Sequence, residues 1–297
     1  MRVVYSPRYQ PDLGAHVFPT AKYHAVADRI TDAHIVTART FVEPVEATWD
    51  DLALVHTAAY LDGLRDGTLS AEAMARLEIP CSPATVDGFR LMTGGTLVAA
   101  RLALDGTDRT VVHLGGGFHH AFAGHGEGFC MFNDVAVAIR AAFRDRMAAS
   151  AAVIDLDVHQ GNGTAAIFGR QPRVFTLSIH EEDNYPYVKP RGSLDLGLPG
   201  GTGDDSFLGV LEGALARALE ARPDIVLYLA GADPYADDQL GGLALTRAGL
   251  RRRARMVFDA ARGAGVPVVV LLAGGYARHL EDTVAIHAAT VEEAARI

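Results

Sequence analysis

Residues 151–163 read AAVIDLDVHQGNG. The first six of them are apolar apart from Asp155, and such a short run, apolar on both faces, is typical of a buried strand in a parallel sheet. The residues that follow, 157–163, are polar or glycine apart from Val158. Because ligands bind where the strands of an open parallel sheet end, this stretch predicts an inner strand with a binding site at its carboxyl end.

The same apolar character recurs in four other short segments: residues 110–114, 173–179, 224–230 and 266–273. Segments of helical length alternate with them: residues 87–104, 132–147, 205–221 and 246–263. Residues 2–6 predict one more strand, and residues 20–31 and 49–64 predict two more helices. This alternation predicts the α/β class, with one domain over residues 1–297 and a mostly parallel central sheet that helices cover on both faces.

Composition and charge exclude several classes of protein. A chain of 297 residues that is 49% hydrophobic is not disordered, and its net charge of −9 argues against direct binding to nucleic acid. The two cysteines, Cys81 and Cys130, lie far apart, which excludes a disulfide framework and a thiolate zinc finger. The longest apolar run, residues 266–273, is about a third of a membrane span. We therefore expect a cytoplasmic protein with no membrane partner, and a monomer is the default.

Side chains that can bind metals or move protons follow all five inner strands. In chain order they are His119, His120, Asp155, Asp157, His159, Asn162, His180, Asp233 and Tyr276. Asp157 and His159 are two positions apart, so they point the same way in an extended segment. With Asp233 they make a set of two carboxylates and one imidazole, which suits Zn²⁺ and leaves a position for water or substrate.

The remaining strand-end residues suit proton transfer and carbonyl polarisation. Histidine titrates near neutrality, so His119 and His120 predict a proton-transfer pair. Tyr276, in a Gly-Gly-Tyr turn, could donate a hydrogen bond to a polarised carbonyl. Each residue also has a structural alternative, as a turn residue, a histidine bonded to backbone or a half-buried aromatic. Their convergence on one edge of the sheet favours the chemical interpretation.

At this point the chain resembles the zinc-dependent histone deacetylase family, with its acetoin-utilisation and acetylpolyamine-hydrolase relatives. The motifs GGGFHHA, GFCxxND, IDLDVHQGNGT, LSIH, AGAD and AGGY occur in the order of that family and cover nearly the whole chain. The segments VYSPRY, IPCSPAT and LGGLALT are most similar to the class IV, histone deacetylase 11-like branch. The resemblance implies the arginase/deacetylase fold, which agrees with the alternation of strands and helices.

The resemblance also implies roles for individual residues in a metal-assisted amide hydrolysis. Asp157, His159 and Asp233 match the ligands of one zinc ion per chain. His120 matches the general base and acid, with Asn162 as its partner, and Tyr276 matches the residue that polarises the acyl carbonyl. His119 matches the electrostatic partner of His120, and Asp155 matches the residue that orients His119. Some members carry Asp where this chain has Asn162, and we expect the pH optimum to shift accordingly.

A substrate tunnel and a second cation site follow from the same resemblance. Phe129 and Tyr185 match the walls of a tunnel for an acylated lysine of a peptide or protein, or a related small acylated amine. Four further residues are expected to contact substrate: Gly128, Leu240, Gly274 and Gly275. A structural K⁺ or Na⁺ site is implied at Asp155, Asp157, His159, Ser178 and Ile179.

Three alternative functions stay open. They are a small-molecule deacetylase acting on an acetylpolyamine or a natural-product intermediate, an acyl-amine binding module without catalysis, and a binuclear manganese ureohydrolase. The last requires a bridging carboxylate two positions after His159, where this chain has Gly161. The length of the acyl chain is open as well, since the class IV branch includes members that prefer fatty acyl groups.

Acidic residues that follow the strand ends suggest how a cationic substrate would be attracted. They are Glu181, Glu182, Asp183, Asp237 and Asp238. The alternative is that they are solvated loop charges.

Overall fold

Eight strands form the centre of the protein in the computed structural model, which describes residues 1–297. They are β1 (Arg2–Val4), β2 (Phe41–Val42), β3 (Thr110–His113), β4 (Ala151–Asp155), β5 (Val174–Glu181), β6 (Leu194–Leu198), β7 (Val226–Leu229) and β8 (Val268–Leu271). All pairs are parallel, and the order across the sheet is β2-β1-β3-β8-β7-β4-β5-β6. Strands β3, β4, β7 and β8 are buried along their whole length, as their unbroken apolar runs predict.

Ten α-helices surround this sheet. They are α1 (Lys22–Asp32), α2 (Trp49–Leu52), α3 (Ala58–Asp66), α4 (Ala71–Leu77), α5 (Pro83–Leu104), α6 (Asp134–Arg144), α7 (Asn162–Phe168), α8 (Asp204–Leu219), α9 (Arg247–Ala264) and α10 (Leu280–Ala294). Helix α9 begins at a side-chain cap, since the Thr246 hydroxyl accepts a hydrogen bond from the Gly249 N–H. None of the helices is both long and apolar enough to cross a membrane.

The expectation of one α/β domain built on a parallel sheet is confirmed, and the predicted strands and most predicted helices lie within a few residues of their observed bounds. The single helix predicted over residues 49–64 is wrong, because the chain breaks between α2 and α3. There the Thr57 N–H donates to the Ala123 carbonyl, and His56 bonds Phe122 and Asn133. These contacts with a distant loop outweigh the local helical pattern.

The order of the strands explains how side chains far apart in sequence meet. The five strands with reactive ends, β3, β8, β7, β4 and β5, are neighbours in the middle of the sheet. Because all of them run in the same direction, their carboxyl ends form one continuous edge. The candidate site lies along that edge.

Candidate active site

Three buried residues form a group that can hold a metal ion: Asp157, His159 and Asp233. Their ligand atoms all lie within 4.8 Å of one another. Asp157 and His159 come from the segment after β4, and Asp233 from the turn after the neighbouring strand β7. The sheet thus joins ligands that are more than seventy residues apart in the sequence.

The surroundings of the three residues fit a cation. The Asp233 Oδ2 atom is buried and has no hydrogen-bond partner, a costly arrangement for a carboxylate oxygen unless a positive charge meets it. Burial, followed by the charges of Asp157 and Asp238, raises the pKa of Asp233 well above its usual value. At Gly274, any Cβ would overlap the Asp233 carboxylate, so glycine is needed for this close approach. Two carboxylates and one imidazole are a donor set that zinc accepts.

His119 lies between two carboxylates, those of Asp155 and of the candidate metal ligand Asp157. Its Nδ1 lies 2.7 Å from Asp155 Oδ2, and its Nε2 lies 3.8 Å from Asp157 Oδ1. Burial by itself would lower the pKa of His119, but the charges of Asp155 and Asp157 outweigh it and raise this pKa to about 9. The other Asp155 oxygen accepts the Asp157 N–H, so one carboxylate orients both residues.

His120 differs from His119, because its hydrogen-bond partner is neutral and its surroundings disfavour a positive charge. Its Nδ1 lies 2.7 Å from the Asn162 Oδ1. Burial is the main cause that lowers the pKa of His120 well below its usual value, and the charges of His119 and His159 add to it. The two adjacent histidines therefore differ: at neutral pH His119 favours the charged form and His120 the neutral form, which can accept a proton.

Tyr276 stands opposite the histidines at the end of β8. Burial and then the charges of Asp233 and Asp157 raise its pKa well above the usual value, so its hydroxyl stays a hydrogen-bond donor. Its backbone N–H donates to Asp238 Oδ2 over 2.7 Å. The ring packs edge-on against Phe18 and Phe129, with centroids 6.3 and 6.1 Å away.

A cavity of about 230 Å³ leads to these groups. Four side chains that line its walls are Phe18, Phe129, Tyr185 and Leu240. His119, His120, Asp157, His159 and Tyr276 also line the cavity. A narrow passage with apolar walls and polar groups inside suits a linear chain that ends in a polar, reactive bond.

The structure places most of the residues predicted to contact substrate on this cavity. Gly128, Phe129, Tyr185, Leu240 and Gly274 line it. Gly275 does not: it faces away, and a Cβ there would meet Ala232 and Thr283.

The second cation site stays a prediction. Strands β4 and β5 both contribute residues to this predicted site, and Asp155 on β4 is paired in register with Ser178 on β5. The Ser178 hydroxyl is hydrogen-bonded to His180 Nδ1 over 2.9 Å.

Two of the acidic residues predicted to attract substrate have internal partners instead. Asp238 is 6% exposed and accepts backbone N–H groups from Leu240, Gly241 and Tyr276. Glu181 accepts the side-chain amide of Asn184 and the Gly242 N–H. These two carboxylates hold loops in place. Asp237 pairs with Arg278 over 3.3 Å, so Glu182 and Asp183 are the exposed charges that remain.

Sequence reasoning missed two residues that touch the site machinery. Lys22 is fully buried, and its ammonium donates to the Ala273 carbonyl over 2.7 Å, behind the cavity. Glu127 accepts hydrogen bonds from both Asn162 and Tyr185. The one sequence feature that could have identified Lys22 is that it is a lysine on the apolar face of a predicted helix. For Glu127 the sequence offers only its position before the Gly-Phe-Cys motif.

Comparison with known proteins agrees with this geometry. A family model described as histone deacetylase domain matches residues 16–291. The chain is 34% identical to histone deacetylase 2 of Arabidopsis thaliana over 284 residues, 91% of this chain and 73% of that protein. It is 32% identical to the acetoin utilization protein AcuC of Bacillus subtilis over 266 residues, 82% of this chain and 68% of that protein.

Solved structures show the same likeness. The HD domain of HDA15 superposes with a TM-score of 0.83 at 25% identity, over 98% of this chain and 90% of that one. A histone deacetylase homologue in complex with SAHA superposes with a TM-score of 0.81 at 25% identity, over 99% of this chain and 84% of that one. The likeness to the class IV branch stays a prediction. The protein belongs to the histone deacetylase domain family and is a hydrolase that acts on amide bonds.

Proposed function

We propose that this protein is a zinc-dependent deacetylase that removes a short acyl group, acetyl above all, from the side-chain amine of lysine or a related linear amine. The observation that carries the proposal is the cavity itself. It brings the neutral histidine His120 and the donor Tyr276 together beside Asp157 and His159, inside a passage with apolar walls. A linear amide can enter such a passage with its carbonyl foremost.

Asp157, His159 and Asp233 would hold the zinc ion. When bound there, zinc would supply Lewis-acid polarisation of the amide carbonyl and activation of a water molecule. His120 accepts a proton from the attacking water and can return it to the leaving amine. Tyr276 donates a hydrogen bond to the carbonyl oxygen as negative charge develops on it. The raised pKa of Tyr276 keeps that donor proton in place at neutral pH.

The volume of the cavity favours a short acyl group. Ligand pockets usually measure about 300–1,000 Å³, and this one measures about 230 Å³. A Cβ on Gly117 would overlap Ala273, whose carbonyl accepts a hydrogen bond from the Lys22 ammonium. We infer from these contacts that the inner end of the cavity is closed. A fatty acyl chain would have to displace these groups.

The site also supports one metal ion rather than two. At Gly161, where a manganese ureohydrolase would carry a bridging carboxylate, any Cβ would overlap Asp155 Oδ2 and lie 3.2 Å from His119 Nδ1. The position is therefore filled by the carboxylate–histidine pair behind the metal ligands. This favours the deacetylase over the binuclear alternative.

The experiment is amine release from one peptide that carries acetyl-, octanoyl- or myristoyl-lysine, measured by mass spectrometry, with zinc-reconstituted protein. An acetylated linear polyamine serves as a small-molecule arm. We expect the highest kcat/KM for acetyl and a steep fall with chain length. A preference for myristoyl would contradict the closed inner end. Release from the polyamine alone would move the substrate to the small-molecule class.

A further inference from the structure

Glu127 lies beside the site and contacts two of its residues at once. Its Oε1 accepts the side-chain N–H of Asn162 over 2.6 Å and the hydroxyl of Tyr185 over 2.8 Å. Its Oε2 lies 3.3 Å from His125 Nε2. The Glu127 side chain is 16% exposed, so these bonds are largely shielded from water.

The contacts of Asn162 leave a single orientation for its amide group. A side-chain amide keeps nearly the same shape when it is flipped, so only its hydrogen-bond partners decide which end is the oxygen and which is the nitrogen. The Glu127 carboxylate can only accept, so it requires the Asn162 Nδ2 on its side. The Gly163 backbone N–H can only donate, and it requires Oδ1 on the other side, 3.0 Å away.

This orientation determines which nitrogen of His120 carries the proton. The atom of Asn162 that faces His120 Nδ1 is Oδ1, an acceptor, at 2.7 Å. Neutral imidazole has one N–H and one lone pair, so the proton must sit on Nδ1 to make this bond. Nε2 is then the only nitrogen of His120 that can accept a proton.

We propose that Glu127 is a positioning residue which, through Asn162, holds His120 in the tautomer with the proton on Nδ1 and Nε2 free. The proposal rests on the proposed function in that His120 acts there as the base. A base that carries its proton on the wrong nitrogen cannot take one from water, as a wrong tautomer in a hydrolase triad illustrates. Glu127 is not among the residues that line the cavity, and it acts on His120 only through Asn162.

The backbone around Glu127 holds the carboxylate in place. Glu127 and Cys130 exchange two backbone hydrogen bonds, of 3.1 and 2.9 Å. Between them, Gly128 and Phe129 both have positive φ, 52° and 66°, as in a type I′ turn. The turn fixes the backbone of Glu127 while it places Phe129 in the tunnel wall.

The direct test is the tautomer of His120, read from ¹⁵N chemical shifts of histidine-labelled, zinc-loaded protein, with the His120 signals assigned from a His120→Gln sample. We expect a protonated Nδ1 and an unprotonated Nε2 in the wild type. Glu127→Met removes the acceptor at similar length and leaves only the Gly163 N–H to orient the Asn162 amide, so we expect a measurable fraction of the other His120 tautomer. These signals do not depend on turnover, so they test Glu127 even if the assigned substrate is wrong.

Kinetics on the acetyl-lysine peptide provide the second readout. Glu127→Met should lower kcat by roughly 10–100-fold, the usual cost of losing a supporting partner at a site, and change KM less. Glu127→Gln still offers an acceptor oxygen to Asn162 and should recover most of kcat. Tyr185→Phe removes the other bond to Glu127 and should affect KM rather than the tautomer. Glu212→Gln, an exposed carboxylate on α8, is the matched control.

Four results would overturn the proposal. The first is a wild-type His120 that carries its proton on Nε2. The second is Glu127→Met with both tautomer and kcat as in the wild type. The third is a lowered kcat in Glu127→Met while Nδ1 stays fully protonated. The fourth is an equal loss of kcat in Glu127→Met and Glu127→Gln. If Glu127→Met does not fold, the wild-type spectrum and the Glu127→Gln rates decide.

Discussion

Two adjacent histidines show how much a single partner residue changes the chemistry of a side chain. His119 bonds the carboxylate of Asp155, whereas His120 bonds the amide of Asn162. The carboxylate stabilises a charged imidazole, and the amide does not. The pKa of His119 is therefore raised, whereas that of His120 is lowered.

This difference predicts the pH dependence of the reaction. His120 must be neutral to accept a proton, so the rate falls as the pH drops through its pKa. Burial holds that pKa below 6.5, and a bound cation would lower it further. We therefore expect kcat/KM on an acetyl-lysine peptide to stay level from pH 8 to about pH 6.5 and to decline only below it. A decline that begins above pH 7 would contradict the prediction that the His120 imidazole is uncharged at neutral pH.

Asp238 is a buried carboxylate that supports Tyr276, and we expect its replacement to lower kcat. One of its oxygens accepts the Leu240 and Gly241 N–H groups, and the other accepts the Tyr276 N–H. In Asp238→Asn, the backbone N–H groups at one of the two oxygen positions would face the side-chain NH₂ group instead of an acceptor oxygen. The loss of a hydrogen bond to a charged group costs about 1.5–3 kcal/mol of folding free energy. Because the Tyr276 backbone would then be misplaced, we expect its hydroxyl to be misplaced as well and kcat to fall roughly 10–100-fold.

Asp237→Asn is the matched control for this change. Asp237 is next in the chain, but its carboxylate is half exposed and lies 3.3 Å from Arg278. We expect kcat to stay close to that of the wild type. Equal losses of kcat in the two variants would show that Asp238 acts only as a surface charge.

At the residue scale, the sequence predicts those groups whose chemistry is visible in a motif. Asp157, His159 and Asp233 follow predicted strands, so the sheet alone brings them together. Glu127 and Asp238 could not be found this way. Their roles depend on a turn with two positive φ angles and on backbone N–H groups of a loop, and neither has a periodic signal.

At the scale of elements, helices α9 and α10 are joined by a cluster of charges around Glu293. The Glu293 side chain is 2% exposed and pairs with Arg251, Arg255 and Arg296 at 2.6, 2.8 and 3.0 Å. Hydrogen bonds from Arg255 first, and from Arg251, lower the pKa of Glu293. The cluster ties the C-terminal helix to the body of the protein.

Glu293→Gln should lower the free energy of unfolding at pH 7 by about 1–3 kcal/mol. Because the pKa of Glu293 is lowered on folding, its contribution is full above the unfolded value of about 4.5 and is lost as the pH falls below it. Urea unfolding at pH 7 and at pH 4 measures both effects, and the difference between variant and wild type should shrink at pH 4.

Glu292→Gln provides the comparison on the same helix. Glu292 also pairs with Arg251 and Arg296, but its side chain is 34% exposed. Exposed ion pairs contribute about 0–1 kcal/mol, so this change should have a small effect. A larger loss for Glu292→Gln than for Glu293→Gln would contradict the account.

The sequence patterns did not reveal α4, α7, α10, β2 and β6, and two of these, α7 and β6, have no apolar signal of their own. Helix α7 begins at Asn162 inside the polar, glycine-rich motif and has no side-chain cap. Strand β6, at the edge of the sheet, is half-buried and carries a glycine. Such elements form because neighbours position them, whereas the inner strands are specified by their own burial.

Across the whole molecule, the neighbouring parallel strands β4 and β7 bring three buried carboxylates to one edge of the sheet. Asp155, Asp157 and Asp233 are all buried there, and one carboxylate oxygen has no partner. A bound cation should therefore stabilise the folded state. At zinc concentrations near 100 times Kd the gain is about 2.7 kcal/mol, which corresponds to a rise in Tm of roughly 3–8 °C.

Thermal unfolding with and without zinc measures this gain. Asp233→Ala should abolish the shift, and His120→Gln should keep it, since His120 is outside the ligand group. An equal shift in Asp233→Ala would place the ion elsewhere.

The dependence of the reaction on one bound zinc ion is tested most directly by measuring amine release from an acetyl-lysine peptide while metal-stripped protein is titrated with zinc. We predict no release without metal, a linear rise, and a plateau at one zinc ion per chain, with Asp233→Ala inactive throughout. Release from the stripped protein, or none after one equivalent of zinc has bound, would contradict this dependence.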